Sequence, residues 1–232
     1  MDQLPLALRL NRNATFEGFS GAANAAAVAH VRAVAAGERR ETVWLAGPHG
    51  SGKTHLLSAA CRQAAEDGLR TMYLALDQAD DPDLLTGLEQ MDVLALDRVD
   101  CVAGKQGWET ALFPLLNARL EHGGLLMSAL IGPGDCGFTL ADLASRAAAA
   151  AIYTLKSLSD EELLELVLRQ AAQRGLEFDE SAAAYLLNRL SRDPGELMRW
   201  LDRIDRYALA EKRRVTIPLL RDAITAAAGD AD

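Results

Sequence analysis

Eight consecutive residues, Gly47-Pro48-His49-Gly50-Ser51-Gly52-Lys53-Thr54, satisfy the pattern G-x-x-x-x-G-K-[ST]. These residue types at this spacing bind phosphate. Glycines let the backbone fold so that several N–H groups converge on one anion, the lysine adds a charge for the outer phosphates, and the threonine hydroxyl can ligate Mg²⁺. His55 follows directly and is expected to serve the same loop. Further along, the apolar run Asp92-Val93-Leu94-Ala95-Leu96 ends in Asp97, a carboxylate placed to hold the same Mg²⁺ through water. The next residue is Arg98, where active hydrolases of this class carry a second acid that orients the attacking water. A guanidinium cannot accept a proton. The expectation is therefore a nucleotide binder with Mg²⁺, with weak or no hydrolysis of its own; the motif leaves the base open.

Such a loop works only between a strand and a helix, so the flanking pattern decides whether the match has meaning. Short aliphatic runs at 42–46, 71–76, 92–96, 125–131 and 151–155 read as buried strands. Helical spacing at 22–36, 54–66, 81–89, 108–122 and 140–148 alternates with them, which implies a parallel sheet covered on both faces. Beyond Leu155 the strands stop. Ser159-Asp160-Glu161-Glu162 forms a capping box, Gly175 is placed to end that helix, and Asp193-Pro194 starts another. The expected architecture is α/β: a sheet domain over 13–156, then a small α-helical domain over 157–232.

The formal net charge of −9 sets the chain as a whole against nucleic acid, so contact with DNA would need a local basic patch. Arg39-Arg40 and Lys212-Arg213-Arg214 read as solvated surface. The three cysteines, Cys61, Cys101 and Cys136, form no C-x-x-C pair, which favours reduced thiols and a cytoplasmic setting. The sequence has neither a membrane-length apolar run nor a signal-peptide pattern. His30, His49, His55 and His122 lack metal-ligand spacing.

With these motifs in hand, the chain resembles the AAA+ proteins related to the replication initiator DnaA, and among them the Hda-type regulators that inactivate DnaA. The resemblance rests on Thr15-Phe16-Glu17-Gly18-Phe19, the phosphate loop through His55, Leu96-Asp97-Arg98-Val99-Asp100-Cys101-Val102-Ala103-Gly104, Asp142-Leu143-Ala144-Ser145-Arg146, and Arg214-Val215-Thr216-Ile217-Pro218. It implies a P-loop AAA+ sheet domain followed by a helical lid, an ADP-preferring site, and Arg146 as an arginine finger acting in trans on ATP bound to DnaA. Residues 1–12 contain Gln3-Leu4-Pro5-Leu6-Ala7-Leu8, similar to the short peptide that docks such regulators on the β sliding clamp through Gln3, Leu4, Leu6 and Leu8. The same leucines could instead pack on their own domain.

The chain stops at Asp232, before the helix-turn-helix domain that DnaA carries, so no direct sequence-specific DNA binding is expected. In the family pattern Leu130 falls where a first sensor is polar, and Gly195 where the lid carries a sensor arginine. Arg199 or Arg192, one helical turn to either side, could take that role, and Arg199 is preferred. A homo-oligomer, a self-sufficient ATPase such as a helicase loader, and an adaptor that uses nucleotide only for folding stay open as alternatives.

Overall fold

The structure, a computed structural model, describes residues 14–229. Gln3, Leu4, Leu6 and Leu8 lie outside the described residues. The chain divides into two compact units, the first ending at Ser157 and the second starting at Leu158.

The first unit is built on a five-stranded sheet in the order β2-β3-β4-β1-β5: β1 (Thr42–Ala46), β2 (Thr71–Ala75), β3 (Val93–Asp97), β4 (Gly124–Ser128) and β5 (Ala151–Thr154). Every pairing is parallel. All five residues of β1, β3 and β4 are buried, the mark of strands covered on both faces. The side-chain period of two then divides β1 between two cores. Val43 and Leu45 join Val31, Val34, Leu56 and Leu57 on one face; Trp44 and Ala46 join Leu94, Leu112, Leu116 and Met127 on the other.

Helices α1 (Ala25–Ala35) and α2 (Lys53–Glu66) cover the first face, and α3 (Gln106–His122) and α4 (Ala141–Ala148) the second. Contact between α1 and β4 is close: a Cβ on Gly124 would lie 2.3 Å from Val34 Cγ1. Because the strands are parallel, their C-terminal ends meet at one edge. Register sets Ala75 beside Asp97, Leu96 beside Met127 and Leu45 beside Ser128, which gathers polar residues from several strands there.

Two expectations from the sequence are corrected. The segment 81–89 is not one helix but two short 3-10 turns, Pro82–Leu85 and Leu88–Gln90. Pro82 lacks an amide, and Gly87 takes a left-handed conformation, φ 82°, so the apolar spacing never becomes a continuous helix. Strand β4 ends at Ser128 rather than near Ile131; there the chain turns, and the Leu130 carbonyl accepts from the Gly47 amide at 3.3 Å.

The second unit is all-helical among its described residues: α5 (Asp160–Gln173), α6 (Glu180–Arg189), α7 (Pro194–Glu211) and α8 (Ile217–Gly229). The capping box at Ser159 and Glu162 forms in full, and Asp179 and Asp193 cap α6 and α7. Leu163, Val167, Leu197, Leu201, Ile204 and Leu219 form a core of this unit's own. No helix among the described residues is long and apolar enough to cross a membrane.

Candidate functional site

The phosphate loop joins β1 to α2 and depends on glycine at defined points. Gly47 (φ 147°) and Gly52 (φ 93°) lie where side chains are disfavoured on two counts. A Cβ at Gly47 would meet Leu155 O at 2.7 Å, and one at Gly52 would meet Phe19 Cε2 at 2.5 Å. Gly52 is the N-cap of α2, and no side chain caps this helix. Its first amides therefore face an approaching anion with the positive end of the helix dipole behind them.

Lys53 is 6% exposed, and its ammonium donates to Gly47 O at 2.6 Å and Pro48 O at 2.8 Å. Burial lowers its pKa, while the nearby Asp97 charge works the other way. His55 Nε2–H donates to Thr15 O at 2.7 Å, and its ring leans on Phe19, tying 15–19 to α2. Burial holds His55 below its usual pKa, so it stays neutral. His49 is exposed at the loop's crest. The loop thus has the glycines, lysine and uncapped amides that a nucleotide's phosphates require.

Asp97, 2% exposed at the end of β3, is surrounded by hydroxyls. Thr54 Oγ1 and Tyr73 OH each donate to Oδ2 at 2.7 Å, and Ser128 Oγ donates to Oδ1. The two sequence motifs are therefore in direct contact. A threonine hydroxyl that donates its proton to Asp97 keeps lone pairs for Mg²⁺, so the pair fits this ion. Burial, then the Asp97 charge, raises the Tyr73 pKa, which fixes the phenol as a donor.

Neither Tyr73 nor Ser128 stood out in the sequence. Strand register brings them to Asp97, and a polar residue ending an otherwise buried strand was the available signal. The polar group of β4 at this edge is Ser128, not position 130.

Arg98 adopts a left-handed conformation, φ 62°, unusual outside glycine. Its amide donates to Ser128 Oγ at 3.1 Å, and its guanidinium lies 3.8 Å from both Asp77 and Asp100. No second carboxylate follows Asp97 at the end of β3. Arg146 is exposed in the last turn of α4, and its guanidinium forms no hydrogen bond or ion pair with the described residues. In the second unit Arg192 pairs with Asp160 at 3.0 Å, whereas Arg199 is exposed on α7 without an ion pair among the described residues.

The bacterial DnaA ATPase domain matches residues 10–130, and the Hda lid domain matches residues 160–224. Among solved structures, domain III of the Thermotoga maritima replication initiation protein DnaA is similar at 20% identity and TM-score 0.78, covering 97% of this chain and 98% of that one. The replication initiator DnaA bound to AMPPCP and single-stranded DNA is similar at 22% identity and TM-score 0.71, over 84% of this chain and 65% of that one. The Thermotoga maritima RuvB Holliday junction branch migration motor follows at 22% identity and TM-score 0.69, covering 94% and 73%. These structural likenesses are likenesses of fold.

Proposed function

The chain belongs to the DnaA-related AAA+ family, with a lid of the Hda kind, and on that premise we propose that it is an ADP-bound negative regulator of replication initiation. Gly47 to Thr54 and His55 would hold ADP, Thr54 and Asp97 would hold Mg²⁺, and Arg199 of the second unit would serve as the sensor arginine for the nucleotide. When bound, Mg²⁺ neutralises phosphate charge. The peptide Gln3-Leu4-Pro5-Leu6-Ala7-Leu8 docks on the DNA-loaded β sliding clamp in the cytoplasm. From there Arg146 enters the nucleotide site of ATP-bound DnaA and stabilises the charge that develops as the terminal phosphoryl group leaves. Hydrolysis converts DnaA to its ADP form and prevents a second initiation.

The observation that carries this reading is the pairing of Arg98 beside Asp97 with an unengaged Arg146 on α4. Arg98, which cannot activate water, directly follows Asp97 at the end of β3, whereas Arg146 is exposed on α4, where it could assist another site. Reconstitution tests it: DnaA–ATP, clamp loaded on DNA, ADP, and either wild-type protein or Arg146→Ala. Fingers supplied in trans are worth about 10³–10⁵ in rate, so the variant should abolish stimulation while still binding ADP. Undiminished stimulation by Arg146→Ala would leave an adaptor. Loss of clamp binding in a Gln3→Ala, Leu4→Ala variant checks the docking step separately.

A further inference from the structure

Glu109 stands in the first turn of α3, 1% exposed, on the sheet face that also carries α4. A buried carboxylate must be fully solvated by donors or neutralised. Glu109 is solvated by neutral donors, with no cationic partner among the described residues: Gly104 N at 2.7 Å, Thr139 N at 3.0 and 3.1 Å to its two oxygens, Thr139 Oγ1 at 2.8 Å and Leu140 N at 2.7 Å. Burial alone would raise its pKa; these bonds outweigh burial and hold it below the usual carboxylate value, so it is charged at neutral pH.

The donors come from two places. Gly104 ends the loop that leaves Asp97 and Arg98, where its φ of 79° turns the chain into α3. Thr139 and Leu140 are the entry to α4, whose N-cap is Leu140, a residue with no side chain able to cap. One carboxylate thus fixes the start of an eight-residue helix whose last turn bears Arg146, and fastens it to the loop that follows the nucleotide-site aspartate.

We propose that Glu109 is a positioning residue for Arg146: it sets the entry of α4, and so the direction in which the finger is presented to the partner's nucleotide. The inference rests on the reading of Arg146 above. A misplacement of about 1 Å in a catalytic group can cost on the order of 10²-fold in rate. Glu109→Gln preserves volume, but in either orientation its NH₂ faces a backbone N–H that the carboxylate had accepted.

The test is stimulation of DnaA–ATP hydrolysis on DNA-loaded clamp, measured against concentration of the regulator. Glu109→Gln should lower the maximal rate by at least about tenfold, with the half-saturating concentration and ADP affinity unchanged. General weakening of the fold would instead lower the urea midpoint and move the half-saturating concentration along with the rate. A maximal rate unchanged by Glu109→Gln, beside a strong effect of Arg146→Ala, overturns the positioning role. No effect of Arg146→Ala overturns the finger itself.

If Glu109→Gln does not fold, Thr139→Val, which deletes one donor and leaves the charge, takes its place. A severalfold lower maximal rate supports the proposal, and an unchanged one overturns it.

Discussion

Removing the Tyr73 hydroxyl should destabilise the first unit through Asp97 and through nothing else. Phenylalanine keeps the ring, which is 4% exposed in the core beneath α2, so no cavity larger than one oxygen forms. What is lost is a 2.7 Å hydrogen bond to a buried carboxylate. Bonds to charged groups contribute about 1.5–3 kcal/mol. Thr54 and Ser128 still serve Asp97, so the lower half of that range is expected.

The measurement is urea unfolding at fixed nucleotide concentration, followed by tryptophan fluorescence in a Trp200→Phe background, so that Trp44 and Trp108 report on the sheet unit alone. Repeating Tyr73→Phe on Asp97→Asn closes a double-mutant cycle. With a neutral partner the hydroxyl should contribute about 1 kcal/mol less. Equal cost on both backgrounds, or a cost under about 0.5 kcal/mol on the first, would show that Tyr73 acts by packing and that the hydroxyl cage around Asp97 is incidental.

Arg98→Glu returns an acid beside Asp97 and is expected to raise intrinsic ATP hydrolysis by about 10²-fold, the lower end for a positioned base; a flat rate in a phosphate-release assay would mean that the arginine is not the block. Gly124→Ala sets a methyl group 2.3 Å from Val34 Cγ1 and should cost about 1–3 kcal/mol in thermal or urea unfolding, with Val34→Ala on the same chain restoring part of the loss. His55 has a folded pKa below its ordinary 6.5, so below pH 6.5 the unfolded chain takes up a proton that the folded chain refuses. Stability contributed by His55 is therefore complete above 6.5 and falls with pH until the folded value is reached; His55→Gln should flatten that part of the pH–stability curve.

The sheet was legible chiefly because its central strands β1, β3 and β4 are buried on both faces. Val43 to Ala46 and Val93 to Leu96 are uninterrupted aliphatic runs, and no helix pattern competes with them. The segment 81–89 misled because its leucines keep helical spacing while Pro82 and Gly87 set the backbone, so local stereochemistry overrode periodicity. Thr54 and Asp97 could be paired from motif spacing alone. Tyr73, Ser128 and Glu109 could not, because each acts through a partner brought close only by strand register or helix packing. A lone glutamate after Trp108 looks like any solvated helix start until the buried amides that it serves are seen.

The second unit closes its own hydrophobic interior, from Leu163 to Leu220, and one strand of chain at Ser157–Leu158 joins it to the sheet. The two family matches, 10–130 and 160–224, fall on opposite sides of that joint. A seam of this kind is a place where genes can recombine without breaking either half. Cutting the chain there parts the apolar clusters of the sheet unit from that of the helical unit without opening any of them.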